Sequence, residues 1–352
     1  MAQTSVSEIG MQPKIANYTS FSPSPSPIIS SELDLKTQEA FKSHPEYGIN
    51  PYNTQCSDCI ELIDRRTDSS RYFIKNGSNG SNFFVQKGFA PLHFKNTNNQ
   101  LISIDARLKP HPFTANKYYA PNQQMPTSYN SINGNTSILL SQFELIFNKN
   151  NKVYHVINNS ENIIFGNGNL ASTTIGEDGA KTTGIWQGID RTILFDRGSV
   201  KTNYILNASP NLPNSLGWLA FEDEITLPIG YKIFKDTLEG GVYTPEGYWN
   251  GELIIINMSN GLEVGRIGNP LVYDSNEQKA SSHLTAYRIK YSGNTYFLQV
   301  MVKASWLMDI NTSYPVTVDP LISGTNTWSA GNIGFKNYNP GNGFAGIHPH
   351  GV

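Results

Sequence analysis

The densest group of ionisable residues is the run Glu222-Asp223-Glu224, which lies between the hydrophobic segment Trp218–Phe221 and Ile225. On a strand, Glu222 and Glu224 share one face and Asp223 points to the other, because successive side chains alternate. Such carboxylates suit half of a calcium site or one side of a glycosidase carboxylate pair. No spacing marks an acid and a base, so we interpret the run as a solvent-facing strand end.

Cysteine and histidine offer the next possibilities for chemistry. Cys56 and Cys59 form a C-x-x-C pair in a turn-rich segment. One pair cannot complete a four-ligand zinc site, and a thioredoxin-like motif needs a preceding strand of a βαβ unit. A local disulfide or two unreactive thiols is the favoured interpretation, with redox chemistry as the alternative. The only neighbouring histidines, His348 and His350, are interpreted as a solvated tail.

Nucleotide and hydrolase motifs are equally weak. Gly166-Asn167-Gly168 resembles the start of a dinucleotide-binding fingerprint, but no helix pattern follows it, so we interpret it as a flexible turn. The sequence has no G-x-S-x-G, H-E-x-x-H or P-loop motif. We therefore expect a protein that is not an enzyme, with no catalytic residues, no cofactor and no metal ligands.

Aromatic residues are the remaining candidates for a binding surface. Tyr248-Trp249 follows a glycine-bearing stretch and could stack on a sugar ring, although a Trp folded onto a sheet edge is the commoner arrangement. Trp186, Trp218 and Trp306 lie in hydrophobic strand contexts, and we expect them in the core.

The composition limits the class of protein that positions these residues. The chain has 352 residues, a formal charge of −2 and only 15% charged residues, which disfavours a nucleic-acid binder. No apolar run is long enough to span a membrane. With 30 Gly, 20 Pro and many Asn, turn formers are abundant. Secreted proteins and AT-rich genomes both produce such compositions.

The first elements of the chain are a linker and helices. Residues 1 to about 30 contain the repeat Ser22–Pro27, which indicates an extended or polyproline linker. A short helix is predicted over Ser31–Ser43, with Ser31 as its N-cap and His44-Pro45 ending it. A second short helix is predicted over Cys59–Arg65.

From about Tyr72 the hydrophobic period changes to two, which predicts strands. Antiparallel hairpins are expected in three places, each flanking a turn. They are Arg71–Lys75 with Phe83–Val85, Phe143–Phe147 with Val153–Ile157, and Tyr287–Tyr291 with Tyr296–Val302.

Two further strands complete the predicted pattern. Val200–Leu206 alternates in the same way as the hairpin strands, and Val316–Val318, bracketed by Pro315 and Pro320, is predicted as an edge strand. The turn-rich segment Asn158–Lys181 suggests a module boundary.

The predicted fold class is mainly β: antiparallel β-sandwich modules with a short N-terminal helix and linker. The predicted division is a linker and helix at 1–46, one β module at 47–170, a second at 171–325 and a Gly/Asn-rich tail or following domain at 326–352.

Three stretches of the sequence together indicate a relationship to a known group of proteins. They are Pro91–Lys95 with Leu101–Leu108, Gly184–Asp190 leading into Val200–Asn203, and Ala304–Leu307 with Tyr314–Pro320. In this order, over roughly residues 72–320, they resemble the β-rich leader module of large secreted bacterial surface proteins. The Asn-rich style and the Ala2-Gln3 start are similar to Bacteroidetes-type proteins exported by the type IX pathway, and RHS-like proteins carry related modules.

The resemblance implies a non-enzymatic extracellular module of a surface or adhesion protein, with a scaffold or presentation role and weak glycan or partner binding. It also implies a location at the cell surface after removal of a signal peptide. The expected partners are other domains of the same or a longer protein, and glycans or cell-surface partners. The alternatives are a secreted carbohydrate-active enzyme or carbohydrate-binding protein, and a polymorphic-toxin leader of the RHS type.

Overall fold

The computed structural model describes residues 44–46, 59–75, 83–87, 91–140, 143–196, 198–236, 247–276, 280, 282–319 and 321–324. Contacts divide the chain into two compact units. Unit 1 comprises the chain up to Asp105 together with Asn122–Gln124, and unit 2 comprises Ala106–Pro121 and everything from Met125 onward. The predicted linker, the helix over Ser31–Ser43 and the tail at 326–352 lie outside the described residues.

The described residues of unit 1 form two small antiparallel sheets, one of three strands in the order β1-β2-β3 and one pair, β4-β5. The strands are β1 (Cys59–Glu61), β2 (Ser70–Lys75), β3 (Phe83–Lys87), β4 (His93–Lys95) and β5 (Leu101–Ser103). The predicted hairpin over β2 and β3 is confirmed, with Phe73 opposite Phe84.

The predicted helix over Cys59–Arg65 is wrong. Its first half is β1, and only Ile63–Arg65 forms one 3₁₀ turn. Ile60 lies opposite Ile74 of β2, so pairing with a neighbouring strand overrides the local helical pattern, as tertiary context often does.

The described residues of unit 2 form β6 to β26 and one short helix, α1 (Ala304–Leu307), besides a 3₁₀ turn at Ser282–Leu284. The first strands are β6 (Lys109–Pro110), β7 (Lys117–Ala120), β8 (Thr127–Asn130), β9 (Thr136–Leu140) and β10 (Phe143–Phe147). They form a five-stranded sheet in the order β10-β9-β8-β7-β6.

The remaining strands of unit 2 form two larger antiparallel sheets. They are β11 (Lys149–Ile157), β12 (Ser160–Phe165), β13 (Thr173–Ile175), β14 (Gly179–Trp186), β15 (Ile189–Asp196), β16 (Ser199–Leu206), β17 (Trp218–Thr226), β18 (Tyr231–Lys235), β19 (Gly247–Trp249), β20 (Leu253–Asn257), β21 (Leu262–Ile267), β22 (Leu271–Tyr273), β23 (Thr285–Ser292), β24 (Thr295–Lys303), β25 (Val316–Asp319) and β26 (Leu321–Gly324). The six-stranded sheet has the order β12-β11-β17-β24-β23-β19. The ten-stranded sheet has the path β13-β14-β15-β16-β26-β21-β20-β18, with β25 joining β16 to β22.

One continuous hydrophobic core joins the sheets of unit 2. From β17, Phe221 and Ile225 point into this core, and from β16, Tyr204 and Leu206 meet them. The rings of Tyr204 and Phe221 stack with centroids 4.6 Å apart and planes 11° from parallel. Burial of such rings contributes about 25 cal/mol per Å² of apolar surface removed from water. The predicted mainly β, antiparallel class is confirmed.

The late hairpin is also confirmed. β23 pairs with β24 so that Tyr291 lies opposite Tyr296. Tyr287 and Ile289 are buried in the core, and Arg288 and Lys290 lie on the other face of the sheet.

The predicted hairpin of Phe143–Phe147 with Val153–Ile157 is wrong in its pairing, although both segments are strands. β10 pairs with β9, and β11 pairs with β12 and β17. The chain changes sheet at Asn148, whose φ is +58°, a conformation that Asn tolerates better than most residues. The Asn148 side-chain amide donates to the hydroxyls of Thr136 and Thr202 at 3.0 and 3.1 Å. These bonds fix the turn toward a different sheet.

The prediction of Val316–Val318 as an edge strand is wrong as well. β25 pairs with β16 on one side and with β22 on the other. Pro315 precedes the strand and Pro320 follows it, so neither removes an N–H from within the strand, and both sides remain available for pairing.

The Gly/Asn-rich segment near residue 167 lies inside unit 2, between β12 and β13, whereas the division between the units falls near residue 105. This segment is packed against β14. The Trp186 indole N–H donates to the Gly166 carbonyl at 2.7 Å. A Cβ at Gly168 would lie 2.4 Å from Cγ1 of Ile185. The glycine therefore permits close packing here and does not mark a linker. Within the described residues, no helix is long and apolar enough to cross a membrane.

Candidate functional site

The six-stranded sheet of unit 2 curves strongly around the face that is turned away from the main hydrophobic core. Glu161 on β12 contacts Arg288 and Lys290 on β23, although three strands lie between β12 and β23. Four strand spacings correspond to about 19 Å along a flat sheet, which a Glu and a Lys side chain cannot bridge together. The sheet therefore curls, and we call its inner side the concave face.

Six polar side chains form one hydrogen-bonded group on this face, which we call the concave-face cluster. Its members are Tyr154, Glu161, Glu222, Arg288, Lys290 and Gln299. Gln299 is fully buried at its centre. The Gln299 amide nitrogen donates to Glu161 at 3.1 Å and to Glu222 at 2.8 Å. The Tyr154 hydroxyl donates to Glu222 at 3.1 Å.

Strand register brings most of the cluster together. Glu222 on β17 lies directly opposite Gln299 on β24, which in turn lies opposite Arg288 on β23. Because directly opposite residues of antiparallel strands share a face, these three side chains form a row across the sheet. Glu161 joins them from β12 through the curvature of the sheet.

Charges within the cluster compensate one another. Lys290 Nζ lies 2.7 Å from Glu161 and 3.2 Å from Glu222, and Arg288 donates to Glu161. Burial acts to raise the pKa of Glu161, but the hydrogen bonds and charges of Lys290, Gln299 and Arg288 outweigh it and hold that pKa below its ordinary value. Burial and the Glu222 carboxylate raise the pKa of Tyr154 to about 12. The carboxylates are therefore neutralised locally by two cations.

The spacing of the two carboxylates resembles that of a retaining glycosidase, but their electrostatics do not. Gln299 binds an oxygen of Glu161 and an oxygen of Glu222, so the two groups lie within about 6 Å. A general acid needs a raised pKa, whereas that of Glu161 is lowered. Lys290 also binds both carboxylates. This geometry pairs both carboxylates with the same cation.

The run Glu222-Asp223-Glu224 alternates as predicted, but its interpretation as a solvent-facing strand end is wrong. Glu222 is only 6% exposed, and Asp223 points to the opposite side of the sheet. Glu224 is paired with Lys149 at 2.8 Å. Among the described residues, no three His, Cys, Asp or Glu side chains lie close enough together to hold a metal ion.

Asp223 belongs to a second polar group, on the core-facing side of the sheet, opposite the concave face. Its carboxylate accepts the backbone N–H groups of Asn148 and Lys149 at 2.8 and 2.9 Å. Asn151 donates to Asp223 at 3.4 Å and accepts from Arg191 at 2.8 Å, so it bridges the acid and the guanidinium. Burial raises the pKa of Asp223 to about 7, against the lowering effect of the two N–H groups and of Arg191.

Two aromatic residues border the concave face. The rings of Trp218 and Tyr248 stack with centroids 6.1 Å apart, and the ammonium of Lys303 lies 3.9 Å from the centre of the Trp218 ring. The Tyr248 hydroxyl donates to Asn159 at 2.9 Å. The Trp218 ring thus already has two partners, and Tyr248, 42% exposed, is the accessible aromatic residue.

The proposed sugar platform of Tyr248 and Trp249 does not form as a pair, because neighbouring strand residues point to opposite faces. Trp249 packs against the hydrophobic core and donates its indole N–H to the Glu252 carbonyl at 2.8 Å. Trp186 and Trp306 pack in or against the core as predicted, whereas Trp218 packs on the concave face.

Unit 1 holds a separate buried network of charged side chains, which we call the unit 1 network. Arg66 forms a bidentate pair with Glu61, with both distances 2.8 Å, and also donates to Glu46. The Ser103 hydroxyl donates to Glu46 at 3.0 Å and accepts from Arg71 at 2.8 Å. The side chain of Arg66 is fully buried.

His93 ends this network and is held neutral mainly by its burial. Its Nδ1–H donates to the Thr67 carbonyl at 2.7 Å, and its Nε2 accepts from Arg71 at 3.2 Å. Burial, followed by the charge of Arg71, lowers the pKa of His93 to about 3. A proton on Nε2 would face the Arg71 N–H, so both groups could not keep their hydrogen bonds. Burial and the Arg66 charge lower the pKa of His44 as well.

The other sequence candidates take no part in these groups. Cys56, His348 and His350 lie outside the described residues, and Cys59 begins β1. Besides these candidates, Asp190 and Asp196 lie near the two ends of β15, and Asp190 accepts the Gly184 N–H at 2.7 Å.

Sequence reasoning missed Glu161, Gln299 and the two cations as members of one cluster. Alternation placed Arg288 and Lys290 on one strand face, which was the available signal. The contact with Glu161 depends on curvature between strands far apart in the sequence, and hydrophobic periodicity carries no information about that curvature.

Comparisons with known proteins do not assign the chain to a family. No protein-family model matches the sequence, and neither the curated proteins nor the solved structures gave a significant match.

Proposed function

We propose that the chain is a non-enzymatic extracellular module of a large bacterial surface or adhesion protein, where it holds or presents other domains. The observation that carries this proposal is the pairing of Glu161 and Glu222 with the same Lys290 and Gln299. Because Glu161 and Glu222 share these two partners, both carboxylates are already paired, and the concave face serves the packing of the sheet. The extensive antiparallel sheets of unit 2 suit such a structural role.

The proposed origin rests on the sequence resemblance. Tyr314–Pro320 and the two other stretches are similar to leader modules of Bacteroidetes-type surface proteins of the type IX pathway. The corresponding partners are further domains of the same or a longer protein. Secretion accords with the abundance of uncharged polar residues in the chain.

The location can be tested on the producing bacterium. Intact cells are treated with an added protease, and the protein is followed with an antibody against unit 2, with a cytoplasmic protein as the control. We expect the protein to be cleaved or shed while the control survives. Protection of both proteins until the cells are lysed would contradict an extracellular location.

The absence of an enzymatic role is tested separately. The purified chain is incubated with a panel of polysaccharides, and the release of reducing ends is measured for the wild type and for Glu222→Gln. We expect no release from either protein. Release by the wild type that Glu222→Gln abolishes would replace the structural role with that of a glycosidase.

Weak glycan binding is a second proposal, favoured by the exposed ring of Tyr248 beside Trp218. An aromatic face of this kind can stack on the apolar face of a sugar. Tyr291 is a matched control, since it is equally exposed at 42% and stacks on Tyr296. On a glycan array we expect Tyr248→Ala to lose any signal that Tyr291→Ala keeps. Equal signals from both variants would remove Tyr248 as the contact.

A further inference from the structure

Lys201 and Asp319 form a buried contact between neighbouring strands of the ten-stranded sheet. Lys201 Nζ lies 2.7 Å from Oδ2 of Asp319, and the side chains are 14% and 1% exposed. Lys201 is on β16, which pairs with both β25 and β26. Asp319 is the last residue of β25, where the chain passes from one of these partners to the other. The backbone of both strands therefore holds the two groups in contact.

The surroundings of Asp319 differ from those of Asp223, the carboxylate on the core-facing side of the six-stranded sheet. Among the described residues, neither of its carboxylate oxygens has a hydrogen-bond donor other than Lys201. Asp223, in contrast, accepts two backbone N–H groups. Burial raises the pKa of Asp319, against the lowering effect of Lys201. A buried ion pair without further hydrogen bonds is costly. The free energy of the neutral pair, amine and carboxylic acid, therefore lies closer to that of the ion pair than it would in water.

We propose that Lys201 and Asp319 condense to form an intramolecular isopeptide bond that links β16 covalently to β25. Transfer of one proton from the ammonium to the carboxylate gives the neutral amine and carboxylic acid. The Nζ lone pair then attacks Cγ of Asp319, the C–N bond forms and the C–O bond breaks. The leaving hydroxyl takes a second proton from the nitrogen and departs as water. No oxidant, metal or other reactant is needed.

Two physical effects favour the condensed product at this position. Groups held in contact react with effective molarities of about 10⁵–10⁸ M when they are well aligned, and condensation replaces two buried charges with one neutral amide. The two partners also come from two stretches that the sequence singles out, Val200–Asn203 and Tyr314–Pro320. The inference is independent of the proposed function, because it concerns only this contact.

The test is the intact mass of the full chain, measured after denaturation and reduction of any disulfide. We expect the wild type to be lighter than its sequence by the mass of one water molecule. Lys201→Arg keeps the charge but replaces the amine with a guanidinium that stays protonated, and Asp319→Ala removes the carboxyl group. Both variants are expected to show their full sequence mass.

Lys149 provides the matched control. It lies 2.8 Å from Glu224, but the two side chains are 39% and 19% exposed. Water therefore solvates both charges, and removing them by condensation brings no gain in free energy. Lys149→Arg should therefore keep the mass deficit of one water.

Digestion with trypsin locates the bond. The wild type is expected to yield a branched peptide that joins residues 198–232 to residues 304–336, uncleaved after Lys201. Full sequence mass in the wild type, with the two peptides released separately, would overturn the proposal. A mass deficit that persists in both Lys201→Arg and Asp319→Ala would overturn the assignment to this pair.

Discussion

In unit 1 the most deeply buried side chains carry charge or hydrogen-bonding groups, whereas in unit 2 they are mostly hydrocarbon and aromatic. Of the side chains described in unit 1, the buried apolar residues are Phe73, Leu92 and Ile102. The buried polar residues there are His44, Arg66, Ser70, Arg71, His93, Ser103, Asp105 and Gln123. Unit 2 instead has a continuous hydrophobic core that joins several sheets.

The two kinds of interior lose stability in different ways when a residue is substituted. A hydrophobic core loses stability in proportion to the surface and volume that a substitution removes. A buried polar network has more to lose from one substitution, because a single missing partner leaves other charges desolvated and unpaired. We therefore expect unit 1 to be stable only while its network is complete, and unit 2 to tolerate the loss of a single polar contact.

The largest expected effect is that of Arg66→Met. This change leaves Glu61 and Glu46 without their shared guanidinium, whose side chain is fully buried. Breaking a buried pair by removing one partner costs about 3–5 kcal/mol. We expect loss of hydrogen-exchange protection in β2 and β5, measured by mass spectrometry.

Arg65 is the neighbouring control, since its side chain is 63% exposed and its contact with Asp64 is long, at 3.9 Å. Arg65→Met should change protection in unit 1 by less than about 0.5 kcal/mol. Equal effects of the two substitutions would show that burial of Arg66 is not what stabilises unit 1.

Acidification should give the next largest effect, a loss of stability in unit 1. The pKa of His93 is lowered from 6.5 to about 3, so the unfolded chain binds this proton first. The stability that the neutral His93 contributes is fully present above pH 6.5 and is lost as the pH falls toward 3. The loss reaches about 4 kcal/mol at the acid end. Hydrogen exchange of β4 across this pH range measures the loss of stability, and His93→Gln should flatten the dependence of that stability on pH. An unchanged slope in the variant would assign the pH dependence to another group.

How much of this contrast the sequence predicts depends on whether polar or apolar side chains form each interior. Period-two alternation predicts the inward faces of β16, β23 and β24, because in unit 2 burial follows hydrophobicity. It predicts nothing about the unit 1 network, where Arg66 and His93 are buried through partners distant in the sequence. A side chain that is charged in isolation is expected at the surface.

The errors in pairing have the same origin. β10 and β11 are correct as strands, but the sheet that each one joins is decided by the conformation of Asn148 and its bonds to Thr136 and Thr202. For the concave-face cluster, the sequence places Arg288 and Lys290 on one face. It does not bring Glu161 to them, because curvature of a whole sheet is a property of packing between layers.

Asp223 provides a pH effect of the opposite sign in unit 2. Its pKa is raised to about 7, so the folded state binds this proton more tightly than the unfolded chain. The stabilisation is complete below the unfolded pKa and is lost as the pH rises from about 4 to about 7. Because the side chain keeps some exposed surface, we expect a change of about 2–3 kcal/mol.

Exchange in β17 over that pH range tests this prediction. Asp223→Asn cannot titrate and should remove the slope. The matched control is Glu224→Gln, one residue away. The hydrogen bond from Lys149 is the main cause of the lowered pKa of Glu224, so this variant should leave the Asp223 slope in place. A slope that survives in Asp223→Asn would place the titrating group elsewhere.

The smallest expected effect distinguishes the concave-face cluster from the unit 1 network. Lys290→Met removes one of the two cations of the concave-face cluster, but Arg288 still binds Glu161, and Tyr154 and Gln299 still donate to Glu222. Lys290 is also 37% exposed. We therefore expect a loss of only about 1–2 kcal/mol, measured by urea unfolding.

Lys232, an exposed residue of β18, serves as the control, and Lys232→Met should be close to neutral. A loss in Lys290→Met as large as that of Arg66→Met would mean that unit 2 also depends on a complete polar network. The contrast between the two interiors would then be one of composition alone, since the hydrophobic core around Phe221 could not compensate for a missing charge on the opposite face of its own sheet.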